Sequence, residues 1–349
     1  MEDARRTRLE ISIDGKDVSE QMATYLLSLS YTDNEEGQSD DLQIKLQDRE
    51  KTWLCKWLNA AVSKNIGLPI RAFIVRENWD GNGGEQKLYC GEFELDSIEA
   101  SAPPSVIMLK ASSLPYGSQI RQTIKSKEWE NCKLSNIAND IAGQNGLTCM
   151  YESKNNPSYE RMEQSRKSDI SFLSKLCNDA GISLKVTNNK LVLFDQTIYE
   201  AKAPVFTIAY GDGSYTKYKL SSSEAGTAYQ SCHVSYTDPK TGKVIEATAK
   251  VEDFDEEAKN NQCLEVSAHV TSTGEAKTLA EKRLRLHNKF EQTATFTMLG
   301  HPRYIAGVTL LLSGFGMWNG KYIVTSAVHT VNASGYIVQM QVRHTLEGY

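Results

Sequence analysis

The sequence predicts a mixed, mainly β fold (α+β) in which two β-rich ends flank a small α+β middle. Three observations predict it. Period-2 alternation fills residues 1–112 and 201–349, helical stripes occupy much of 113–200, and turn glycines and asparagines punctuate the alternating runs. At 349 residues the chain can bury two or three separate cores.

In segment 1–112, Leu9, Ile11 and Ile13 alternate with polar residues up to Asp14-Gly15, a hairpin-type pair. Leu42, Ile44 and Leu46 resume the alternation after a loop from Asp33 to Asp40. Trp53, Leu54, Trp57, Leu58 and Ala61 have helical spacing and predict one short helix. Strands follow around 70–75, 88–98 and 106–110, with Asp80 to Gly84 as a polar loop.

Segment 113–200 changes period. Leu134, Ile137, Ala138, Ile141 and Ala142 form one helical stripe that Gly143 or Gly146 should end. Leu173, Leu176, Cys177 and Ala180 form a second, with Ser168 or Asp169 to cap it and Gly181 to stop it. Ile182, Leu184 and Val186, the turn Asn188-Asn189, then Leu191 and Leu193 read as a hairpin. Segment 201–349 returns to β, with a helical insertion near 275–288 marked by Ala276, Leu279, Ala280 and Leu284. It closes on a hairpin from Lys321 to Val342 that turns at Asn332 to Gly335.

The bulk numbers exclude several classes. A net charge of −5 disfavours a nonspecific nucleic-acid binder, and no sequence-specific nucleic-acid contact is expected. No window is apolar enough for a membrane span, and the polar start of the chain lacks the apolar core of a secretory signal. The seven cysteines are odd in number, scattered and without a C-x-x-C pair, which points to folding in a reducing cytoplasm.

The two ends echo each other. Gly67-Leu68-Pro69-Ile70 precedes Gly91-Glu92-Phe93-Glu94-Leu95-Asp96-Ser97; Gly307-Val308-Thr309-Leu310 precedes Gly320-Lys321-Tyr322-Ile323-Val324-Thr325-Ser326. Both read G-[apolar]-x-[apolar], a connection, then G-x-aromatic-x-aliphatic-x-S. The longer first connection is a polar surface loop, which tolerates insertion.

Three further stretches resemble the late-control-D family of phage tail proteins. They are Lys110 to Leu147 with Leu134 and Ile137; Ser168 to Phe194 with Leu173, Leu176 and Gly181; and Gly300-His301-Pro302 through Gly307, Gly320 and Tyr322 to Tyr336. With Gly91 and Phe93 of the first end, the likeness covers nearly the whole chain. The family includes baseplate hubs of contractile phages and the hub portion of type VI secretion spike proteins. The resemblance implies a homotrimer whose subunits each carry two tail-tube-like β-barrel domains, so that three copies imitate a sixfold tube ring. It implies as partners a tail tube protein, a separate spike protein and baseplate wedge proteins. It also implies assembly in the host cytoplasm and a mature place in the baseplate.

The search for chemistry finds no enzyme. The six histidines form no H-E-x-x-H pattern, there is no G-x-S-x-G elbow, and Tyr210 to Ser214 lacks the Lys-Ser/Thr of a phosphate loop. No catalytic residue, metal or cofactor is expected. Glu92, Glu94 and Asp96 share one face of a strand, because residues two apart point the same way, and form a candidate lumen-facing acidic edge that would repel passing DNA. The rival readings are a tail-associated peptidoglycan hydrolase, for which the chain leaves no room, and a β-rich adhesin or carbohydrate-binding module, whose exposed aromatic cluster the dispersed tryptophans do not supply.

Overall fold

One 13-stranded sheet carries both ends of the chain in the computed structural model. The structure describes residues 4–37, 39–53, 67–80, 83–114, 120–121, 123–223, 229–239, 241–252, 254, 256–257 and 261–346. The fold is mainly β with a few helices, as the alternation predicts.

The sheet repeats itself. Its first half runs Arg6–Ile13, Pro69–Glu77, Glu85–Ser101, Val106–Ser112, Asp41–Gln47, Leu26–Asn34. Its second runs Phe206–Ala209, Thr309–Ser313, Gly320–Asn332, Gly335–His344, Gln292–Leu299, Tyr215–Ser222. The halves join where Leu26–Asn34 pairs antiparallel with Gly320–Asn332, from Asn34 opposite Ser326 to Ser28 opposite Asn332.

The repetition reaches single hydrogen bonds. The Gly67 N–H donates to the Leu95 carbonyl (2.7 Å) and the Leu95 N–H returns to the Leu68 carbonyl (2.9 Å). Likewise the Gly307 N–H donates to the Val324 carbonyl (2.8 Å) and the Val324 N–H to the Val308 carbonyl (2.9 Å). Ile70 stands opposite Phe93 as Leu310 stands opposite Tyr322. The register slips between Leu95 and Ser97 in one half and between Val324 and Ser326 in the other. A second pair of slips falls between Leu26 and Ser28 and between Tyr215 and Lys217. Gly91 and Gly320 open the matching stretches at φ 123° and 137°, backbone that a side chain would strain. The far strands of the two halves differ: Arg6–Ile13 lies antiparallel to its neighbour and carries the thirteenth strand, Lys16–Asp17, on its other side, whereas Phe206–Ala209 lies parallel to its neighbour.

Alternation determines which residues go inside. Leu42, Ile44 and Leu46 in one half, and Ala294, Phe296 and Met298 in the other, enter a single core shared by both. Each large apolar side chain buried there contributes roughly 1.5–3 kcal/mol.

Two modules with cores of their own stand on this sheet. In the middle one, helices Leu134–Gln144 and Asp169–Ala180 bury Leu134, Ile137, Leu173 and Leu176 with Leu191 and Leu193 of the hairpin. Gly181 ends the second helix in the left-handed region, whereas Gly143 lies inside the first, which ends at Gln144. Strand Lys190–Phe194 pairs antiparallel with Ser183–Thr187 and parallel with Thr148–Glu152. A two-stranded ribbon, Lys125–Lys133 with Ser158–Lys167, completes the module. The other module sits between Tyr215–Ser222 and Gln292–Leu299, where the first half has only a short loop. Helix Thr273–Asn288 starts at Ser272, whose Oγ accepts the Glu275 N–H at 3.2 Å, and its buried Ala276, Leu279 and Leu284 pack on a three-stranded sheet through Cys232, Val234 and Ala249. Of the short helix expected from Trp53 onward, only Trp53 is described; it is buried and edge-on to Tyr25, and 54–66 lie outside the described residues.

Candidate functional site

The most heavily charged buried region lies where the two sheet halves meet both added modules. Arg343, on the last strand, is fully buried. Its Nη2 donates to Glu200 Oε1 at 2.7 Å and approaches Glu35 Oε1 at 3.5 Å. Glu200 ends the short helix Gln196–Glu200 leading out of the middle module, and its other oxygen accepts from Arg285 of helix Thr273–Asn288. Arg285 also donates to the Leu346 carbonyl (2.9 Å). Beside them Lys289 pairs with Glu36, Lys282 with Asp195 (2.6 Å), and Lys185 with Asp33 (2.8 Å) and Asp40 (3.4 Å). Every module therefore contributes a charge that is satisfied only when the others are in place.

Burial sets the protonation of this junction. Desolvation pushes the Glu35 carboxyl up to about 7, with Arg343 opposing, and the Asp40 carboxyl up to about 6, with Lys185 opposing. Glu36, held by Lys289, stays below its ordinary value even though burial alone would raise it. Removing one partner from such a pair leaves an uncompensated buried charge, which costs about 3–5 kcal/mol.

The strand Glu85–Ser101 carries the predicted acidic edge. Glu92 pairs with Arg71 at 2.5 Å, accepts from Asn189 Nδ2 at 3.0 Å, and faces the hairpin turn of the middle module. Asp96 lies 3.7 Å from Arg121, and Glu94 is half-buried. Asp96 falls where the strand register slips, between Leu95 and Ser97, whereas Glu94 stands in register opposite Ser112 and Pro69.

The other signature positions are places of close approach. A Cβ on Gly300 would stand 2.1 Å from the Tyr336 ring, and one on Gly181 would stand 2.5 Å from Lys282 Cβ across the module boundary. Phe93 and Tyr322 are core residues, Pro302 lies in the turn after Gly300, and Gly307 takes the turn conformation that its twin Gly67 takes. His329 is buried between the Tyr336 hydroxyl (2.7 Å) and the Tyr304 carbonyl (2.8 Å), and burial lowers its imidazole to about 4. Among the described residues no group of three or more His, Cys, Asp or Glu is placed to hold a metal ion, and no helix is long and apolar enough to cross a membrane.

Sequence reasoning missed the charged junction. Its partners are separated by as many as 308 residues, as in Arg343 and Glu35, so no local pattern marks them.

Residues 112–335 match the phage tail baseplate hub (GPD) family. The chain belongs to this family. The probable baseplate hub protein of Escherichia phage 186 is 24% identical over 238 residues. That alignment takes in 67% of this chain and 57% of the relative, so the chain spans little more than half the length of the curated protein it matches. A tail protein from Neisseria meningitidis MC58 shares the fold with a TM-score of 0.70 at 11% identity, covering 97% of this chain and 96% of the other. The E. coli c3393 protein, a type VI secretion component similar in structure to T4 tail proteins gp27 and gp5, superimposes with a TM-score of 0.58 at 10% identity, over 99% and 79% of the two chains.

Proposed function

We propose that the chain is the structural hub of a contractile tail or tail-like injection baseplate, a homotrimeric adaptor between a sixfold tail tube and a threefold spike. The observation that carries the reading is the doubled sheet. Two halves with one strand order and one register give each subunit two equivalent units, so three subunits offer six units to a tube and threefold symmetry to a spike. Each half would act as a tube-like barrel domain, bounded near 1–112 and 201–349, with the middle module of 113–200 outside the ring.

The partners are the tube protein, the spike protein and wedge components. The hub assembles in the host cytoplasm, ends in the mature baseplate, and works by geometry without catalysis or a cofactor. Membership of a hub family supports this. In the assembled ring Glu94 and Asp96 would present the acidic edge to the lumen, with Glu92 committed to the middle module.

Light scattering tests the reading. The expected mass is three times the 39.0 kDa chain, either alone or once the cognate spike is added. A protein that stays monomeric at micromolar concentration in both conditions overturns it.

A further inference from the structure

The internal repeat has one junction made and one left open. Within the chain, the second part of Gly320–Asn332 pairs with Leu26–Asn34 of the other half. The twin of Gly320–Asn332 is Glu85–Ser101, and the twin of Leu26–Asn34 is Tyr215–Ser222, by strand order and by matching register slips. Among the described residues, Ser97–Ser101 pairs only with Val106–Ser112, and Tyr215–Ser222 only with Gln292–Leu299. One edge of each therefore has no strand partner among the described residues.

We propose that these two edges pair with each other between neighbouring copies of the chain, antiparallel and head to tail, in the register that the internal junction dictates. Aligning the twins through their slips places Ile98 opposite Ser222 of the next copy, Glu99 opposite its Ser221, Ala100 opposite its Leu220 and Ser101 opposite its Lys219. Ala100 and Leu220 then occupy the places of His329 and Tyr31, which face each other with rings stacked 5.7 Å apart.

Exposure and charge agree with this pairing. Leu29, in the closed junction, is 0% exposed, while its twin Tyr218 is 44% exposed and waits for cover. Glu99, on the edge's other face and already paired with Lys110 of its own chain, comes diagonally opposite Lys219, within reach of a long side chain. Lys219 and Glu99 are both exposed in the single chain. An unpaired edge strand is also a template for aggregation, so filling it with a defined partner removes a liability.

The interface joins unlike edges, so each copy offers one donor edge and one acceptor edge and repetition generates a ring. That the ring closes at three copies rests on the hub reading above; the pairing and its register rest on the repeat alone.

The test is disulfide trapping in the full chain with Cys263 and Cys55 replaced by serine. The variant Ala100→Cys/Leu220→Cys is oxidised mildly and run on a non-reducing gel, beside Ala100→Cys/Ser222→Cys as a control slipped by two residues. Directly opposed Cβ atoms about 4.5–5.5 Å apart can be bridged with slight adjustment. The expected result is a covalent ladder ending at three chains for the first variant and at least tenfold less product for the second. If the double variant fails to fold, an equal mixture of the two single variants decides. It should give a disulfide-linked dimer of one chain of each kind, and neither single variant alone should give any. A light-scattering trimer with no linkage, or with linkage favouring the slipped pair, overturns the pairing and leaves the hub reading standing. A matched ladder that continues past three overturns the trimeric hub and leaves the pairing standing.

Discussion

Replacing Glu35 by glutamine should change how stability depends on pH more than it changes the fold. In the folded chain this carboxyl titrates near 7, against an ordinary 4.5, because burial disfavours its charge more than Arg343 favours it. The folded protein thus holds a proton that the unfolded chain has already released, and stability falls as pH rises from about 4.5 to about 7. At 1.36 kcal/mol per pH unit the total is about 3 kcal/mol, an order-of-magnitude figure. His329 works in the opposite direction: neutral in its buried site down to about 4, it makes stability fall as pH drops below 6.5. Between about 4.5 and 6.5 the two slopes oppose each other, with Asp40, raised to about 6, adding to the Glu35 slope and His301, lowered to about 4, adding to that of His329. Glu35→Gln mimics the protonated acid, so it should match the parent near pH 4.5, exceed it by up to about 3 kcal/mol above pH 7, and expose the His329 slope. Urea unfolding of both proteins from pH 4.5 to 8, followed by near-UV circular dichroism, measures the difference. A difference that stays constant across that range, or that turns in the parent's favour as pH rises, refutes the reasoning.

Arg343→Ala should lower unfolding stability by about 3–5 kcal/mol, since it takes the guanidinium away from buried Glu35 and leaves Glu200 to Arg285; chemical denaturation at pH 8 measures it. Gly300→Ala should cost at least about 3 kcal/mol, because the new methyl meets the Tyr336 ring, itself fixed by His329; a thermal melt reads the loss. Gly181→Ala combines a left-handed backbone with a clash on Lys282, and should loosen the contact between the middle module and helix Thr273–Asn288, visible as faster hydrogen exchange in both.

How much of this could be read from the sequence depends on where each element buries its side chains. Strands with one dry face announce themselves: Leu42, Ile44, Leu46 and Ala294, Phe296, Met298 alternate because the opposite face is wet. The helices at Leu134 and Asp169 announce themselves for the same reason at a period of 3.6. The ribbon Lys125–Lys133 with Ser158–Lys167 does not, since the few apolar residues it lays on the module's core, Trp129, Cys132, Tyr159 and Met162, are outnumbered by charged ones such as the cross-strand pair Arg161 and Glu128. The strands around Cys232 bury only small or isolated residues, so the sequence marks the helix of their module and not its sheet. The charged junction was invisible for another reason: Glu35, Glu200, Arg285 and Arg343 are ordinary surface residues until the fold brings them together.

The echo between the two ends was legible because it concerns backbone rather than side chains. Phe93 and Tyr322 differ, as do Leu95 and Val324, and a core tolerates such exchanges when volume and pattern are kept. The glycines are less free. Gly91 and Gly320 sit at φ values that a β-carbon would strain, and Gly67 and Gly307 turn the chain so that their N–H groups reach Leu95 and Val324. Two sequences that drift apart while obeying one set of backbone constraints retain the positions at which only glycine or a bulge will serve. Such constraints act on a whole hydrogen-bond pattern, so an edge that is filled in one copy predicts the register of its unfilled twin.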